Sequence, residues 1–196
     1  MNATIQRVIQ IVAVTVPDER RLILGEISRL AKGRPMSNTR ASELANRIEQ
    51  GADALARFAE SLSDSEWHTL VPNDQRSVGV LVHHIASSYP MEIDLAQGMA
   101  AGNAIVGVTW DVANQMNAQH AHDHADIGQS EAIALLRQNS KVAAERVRQF
   151  TDLQLDTAVT VSLNAGAPLT VQFFIEDHAL RHSFHHLANI RAALRR

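Results

Sequence analysis

Glu176 to Arg196 reads EDHALRHSFHHLANIRAALRR, and its spacing decides how the chain folds. At about 100° per residue, Leu180, Phe184, Leu187, Ile190 and Leu194 share one face, so the stretch is an amphipathic helix that turns this face into a core. It also carries four of the ten histidines, His178, His182, His185 and His186. On the same wheel His182 and His186 lie at one edge of the apolar face, next to Ala179 and Ile190, while His178 and His185 fall further round toward solvent. An i, i+4 pair stands roughly 5 to 6 Å apart at Cβ, close enough to hold one divalent cation between the rings. Ser183 follows His182, so this is not the H-E-x-x-H of a zinc protease with its built-in general base. Two ligands hold a cation weakly, and a third has to come from elsewhere in the chain.

The helix that begins at Val78 supplies it. Ser77 is its N-cap, Pro90 kinks it, and it reaches Met99 before Gly102. Its apolar face is Val78, Leu81, Val82, Ile85, Tyr89 and Ala96, and His84 shares an edge with Val80, Met91 and Leu95. His83 travels instead with the polar set Gly79, Ser87, Asp94 and Gln97. Alone, His84 reads as a buried, hydrogen-bonded core histidine. Together with His182 and His186 it makes three inward imidazoles from two helices, the pattern of a three-histidine metal site with open positions for water or substrate. A rival lies in QHAHDHAD, Gln119 to Asp126, where His120 and His124 are also four apart. Asp123 and Asp126 make that segment a polar helix end, which reads as solvated or as support for a site.

Helical signals fill the rest. Leu44, Ile48, Leu55, Phe58 and Leu62 set out a long helix over 39–62, followed by turn residues at 63–67 and 72–74. A third helical pattern spans Thr109 to Ala125. A fourth, with Ser130 as its N-cap, places Ile133, Leu136, Ala143, Val147 and Phe150 on one stripe. Between Asp152 and Thr170 the period changes: VTVSL and LTV flank Asn164 to Pro168 as two short strands or as an extended crossover, and Thr170 caps the last helix. The sum is an all-α helix bundle from about residue 37, with short segments attached.

Residues 1–35 stand apart as an N-terminal extension. IQIVAVTV is short, has only Arg7 as a positive flank and lacks a cleavage site, so it does not read as a signal peptide. Pro17 and Asp18 open a helix through Leu30, Gly33-Arg34-Pro35 ends it, and Met36 is an alternative natural start. The domain division is therefore 1–35 and 36–196.

With 196 residues, 45% of them hydrophobic, and no apolar run of membrane-spanning length, the expectation is a soluble cytoplasmic protein with no membrane partner. A formal charge of -3 and no basic block beyond Arg191 to Arg196 argue against nucleic acid. The chain has no cysteine, which excludes thiolate ligands and a cysteine nucleophile and leaves histidine and carboxylate as metal donors.

RSVGVLVHHIASSYPMEI, residues 76–93, followed by EDHALRHSFHHLANI, residues 176–190, resembles the DinB/YfiT-like family of metal-binding four-helix bundles, over roughly residues 37–195. The resemblance implies a four-helix bundle with a long crossover, and a divalent metal (zinc, nickel or iron) on His84, His182 and His186. It further implies a homodimer and a small-molecule substrate, with a low-molecular-weight thiol as cosubstrate in some relatives. The family tail H-x-x-x-H-R-G-Q is not kept, since His186 is followed by Leu187-Ala188-Asn189. WDVANQMNAQHA, residues 110–121, is similar to a tract in one branch of the family and puts Asn117 and His120 at the pocket mouth. Two functions follow: a metal-dependent transferase or hydrolase, or a non-catalytic metal-binding or stress-related protein. Glu92 and Glu176 are the carboxylates available as a general base, although the wheels place neither at the histidines.

Overall fold

Leucine, isoleucine and alanine at helical spacing build the first long element of the computed structural model, which describes residues 39–196. The helix expected from Pro17, the start at Met36 and the cap at Ser37 lie outside the described residues. Helix α1 (Thr39–Glu60) buries Leu44, Ile48, Ala52 and Leu55 along one stripe. A capping box opens the short α2 (Asp64–Trp67): the Ser63 hydroxyl accepts from the Glu66 N–H, and the Ser63 N–H donates to the Glu66 carboxylate at 2.8 Å. Ser77 caps α3 (Val78–Ala100) as expected, accepting from the Val80 N–H at 3.3 Å.

Pro90 sits inside α3 without ending it. Lacking an N–H, it leaves the Ala86 carbonyl without its helical donor, and Asn139 Nδ2 from a neighbouring helix donates there at 2.9 Å. The remaining elements are α4 (Trp110–Asp123), α5 (Gln129–Val147), α6 (Asp152–Leu155), strands β1 (Ala158–Thr160) and β2 (Pro168–Thr170), α7 (Val171–Ile175) and α8 (Arg181–Leu194). The strands pair antiparallel with Val159 opposite Leu169, so the change of period marks a hairpin. Thr170 caps α7, accepting from the Phe173 N–H at 3.1 Å. Gly128 rather than Ser130 is the N-cap of α5, because the helix starts two residues earlier than expected, at Gln129.

Helix α5 packs against both α1 and α3, and the last helix touches both from the other side. That makes four helices around one core, with α1 and α3 on a diagonal. Tyr89, Ile48, Leu55, Leu81, Ile85, Leu136, Ile175 and Ile190 are fully buried in it. Helix α4 is not one of the four: it has no buried residue and belongs to the crossover between α3 and α5. Its sequence lacks a wide apolar stripe, so periodicity alone overstated it. Among the described residues no helix is long and apolar enough to cross a membrane.

The last helix departs from a single wheel. A π turn over Glu176–Leu180 joins α7 to α8, with the Arg181 N–H reaching back five residues to the Glu176 carbonyl. The extra residue rotates everything before Arg181 relative to α8, and such turns recur at functional sites. Phe184, expected in the core, is 42% exposed and lies over Gly51 of α1.

Candidate metal centre

His84 is on α3 and His182 and His186 are one turn apart on α8, and the fold brings the three together. Each offers a ring nitrogen within 4.8 Å of the other two. The ring centroids are 5.0 Å apart for His84 and His182, 5.9 Å for His84 and His186, and 5.1 Å for His182 and His186. Among the described residues no hydrogen bond joins the three rings, so they have converged without satisfying one another. Two of the rings have a carboxylate beside them. Glu92, buried on α3, receives His182 Nδ1 at 2.9 Å, which leaves Nε2 as the nitrogen not engaged by the carboxylate. Asp74 Oδ2 stands 3.6 Å from His186 Nδ1, an electrostatic neighbour too distant for a hydrogen bond.

Burial is the main cause of the electrostatics. It holds His84 down to about 2, with help from the charges of His182, Arg76, His186 and His120, and it lowers His186 in the same way, next with His182. His84 and His186 are thus kept as neutral bases, the form that binds a cation. His186 Nδ1 and Glu92 Oε2 are buried with no hydrogen-bond partner, an arrangement costly for a site that holds nothing. Three converging imidazoles, two of them with a carboxylate behind, fit zinc, nickel or iron.

Glu92 corrects the sequence reading. It lies about 80° round the helix from His84 by the ideal step, so the wheel separated them, but its partner comes from α8. Glu176 is not at the histidines: it accepts from Gln172 Nε2 at 3.0 Å. Asp74 and Arg76 escaped notice because they lie in the turn before α3. Arg76 Nε donates to Asp74 Oδ1 at 2.5 Å, its Nη1 is buried without a partner, and its charge acts on His84, His120 and His186 alike. His178, expected toward solvent, is half-buried within the π turn, its ring tilted against Phe174 with centroids 4.3 Å apart. His185 is exposed as expected and meets Asn189 Nδ2 at 3.2 Å.

His83 is also a correction. The polar face it was assigned to is roofed, and the residue is only 6% exposed. Gly79, one turn earlier, makes room for the Trp67 indole, whose N–H donates to the Ile127 carbonyl at 3.0 Å. The crossover closes over the next turn. His83 Nδ1 lies 2.9 Å from His120 Nε2, and the His83 ring centroid is 4.0 Å from that of His124. His120 stands edge-on to His84 at 5.5 Å, and burial, then His83, lowers it to about 4. Asn117 is half-buried on the same helix.

The chain matches the DinB superfamily over residues 47–190. Its fold is similar to that of YfiT from Bacillus subtilis, described as "a probable metal-dependent hydrolase with an unusual four-helix bundle topology". That likeness has a TM-score of 0.66 at 19% identity and covers 79% of this chain and 86% of YfiT. No curated protein matches the chain.

Proposed function

Because the chain belongs to the DinB superfamily, we propose that it is a metal-dependent enzyme, a hydrolase or transferase of a small molecule, with His84, His182 and His186 holding one divalent cation. The observation that carries this reading is the convergence of three imidazoles that do not hydrogen-bond one another, with the Glu92 carboxylate behind His182 and Asp74 behind His186. The description of YfiT as a metal-dependent hydrolase supports it. When bound, the cation supplies Lewis acidity toward a substrate oxygen or an incoming thiol.

The chain's own residues do the rest. Three protein ligands leave coordination positions open, as a catalytic site requires and a purely structural one does not. Glu92 accepts the His182 Nδ1–H and fixes both tautomer and ring orientation. Asp74 stands behind His186 and at the same time anchors Arg76. The unpartnered Nη1 of Arg76 favours a substrate with an anionic group. With no cysteine in the chain, the nucleophile is water or a thiol that arrives as cosubstrate.

The test is turnover by zinc-, nickel- and iron-loaded protein on activated esters, amides and epoxides, with and without glutathione, bacillithiol or mycothiol. Alanine at His84, His182 or His186 is expected to abolish turnover and to weaken one bound cation by more than about 100-fold, beyond the loss of an outer contact. Alanine at the exposed His185 should change neither. Turnover that survives all three ligand substitutions would overturn the reading.

A further inference from the structure

His83, His120 and His124 form a second cluster that the proposed function does not use. Their ring nitrogens also lie within 4.8 Å of one another. They come from different elements: His83 from α3, His120 from the last turn of α4, and His124 from its C-cap. Chain proximity brings His120 and His124 together, four residues apart, but does not account for their meeting with His83, 37 residues before His120. Trp67 and the crossover build the pocket over Gly79 and bury His83 inside it.

The contacts within the cluster are not satisfied by protons. His83 Nδ1 and His120 Nε2 are 2.9 Å apart, and between two neutral rings one hydrogen serves that contact. Ser87 Oγ, 3.3 Å from the same Nε2, already donates to the His84 carbonyl, so it only accepts from His120. Nε2 of His120 then carries the proton, and its Nδ1 is a lone pair that is buried with no partner. With the other tautomer Nδ1 is a buried N–H lacking an acceptor. Each arrangement leaves a desolvated polar nitrogen, which costs about 1 to 3 kcal/mol.

We infer that His83, His120 and His124 form a second site for a divalent transition-metal cation, adjoining the first through the edge-on contact of His120 with His84. A donor set of imidazoles alone selects zinc, nickel or copper over magnesium or calcium, which take oxygen ligands. Since α3 carries both His83 and His84, the two sites stand about 100° apart on one helical turn and meet at the His84–His120 contact.

Zinc bound per chain, measured by elemental analysis after desalting and by competition with a chromophoric chelator, tests the inference. Wild type is expected to hold two. The His182→Ala/His186→Ala variant, which leaves the second cluster intact, should retain one, and adding His124→Ala should weaken that remaining zinc by more than about 100-fold. Should the double variant not fold, His124→Ala alone should lower wild-type zinc from two to one. Zinc binding unchanged by His124→Ala overturns the inference, as does a double variant that melts cooperatively and holds no zinc. If the double variant instead holds as much zinc as wild type, the first site fails and the second stands.

Discussion

His83 and His84 are adjacent in the chain and end in different clusters, because one residue step turns a helix by about 100°. The sequence allowed them to be told apart, since His84 lies at the border of an apolar face and His83 among polar residues. It did not allow the cover over His83 to be seen, nor the pairing of His182 with Glu92, because each depends on a segment far away in sequence. The buried state of His84 has a consequence for stability. Its folded value near 2 lies below its ordinary 6.5, so in this interval the unfolded chain binds a proton that the folded chain does not. Stability from this source is therefore present above about pH 6.5 and falls steadily as pH drops below it. His120, lowered to about 4, adds in the same direction. Chelator-treated protein should melt at a lower temperature at pH 5 than at about pH 7.5, and His84→Gln should reduce that difference. A melting temperature independent of pH in this range would mean that His84 is not held neutral by burial.

At the scale of elements, periodicity located the long helices but not what each one packs against. The stripe Ile133, Leu136, Ala143 and Val147 is buried as its spacing demands, whereas α4, with helical spacing but no wide apolar face, stays on the surface. The π turn was illegible because it depends on a single extra residue in an otherwise regular pattern. Two helical glycines show how packing overrides propensity. A methyl group at Gly79 would meet Trp67 Nε1 at 2.5 Å, and that indole is buried and committed to the Ile127 carbonyl. A methyl at Gly51 would meet Phe184 Cε2 at 2.8 Å, at the far end of a partly exposed ring that can swing aside. Alanine gains about 1 kcal/mol over glycine within a helix, which suffices to offset a small shift of Phe184. Overpacking costs about 1 to 3 kcal/mol where nothing can move. Chemical denaturation should therefore find Gly79→Ala destabilised by about 1 to 3 kcal/mol and Gly51→Ala within about 1 kcal/mol of wild type. Equal losses in the two variants would show that Trp67 is not fixed in place.

For the whole molecule, the bundle was legible because each helix announces itself locally, and the three candidate ligands because they sit at the edges of faces that must point inward. The joint they make was not, since it arises from two helices about a hundred residues apart in the chain. Helix α3 and the last helix meet at His84, His182 and His186, with Glu92 tying the same pair together at 2.9 Å. A cation shared by these rings binds only when the two helices are in place, so it stabilises the folded chain and not the unfolded one. At a free cation concentration 100 times the dissociation constant the gain is about 2.7 kcal/mol. For a domain of this size each kcal/mol moves the melting temperature by about 2 to 4 °C, so saturation should raise it by about 5 to 11 °C. Excess chelator should reverse the rise, as should acidification, because protons compete for the ligand nitrogens. In His186→Ala the rise should shrink while the apo melting temperature stays close to wild type, because the ring lost there lies at the edge of the core. A wild-type melting temperature that zinc, nickel and iron all leave unchanged would show that the three histidines do not clamp the bundle.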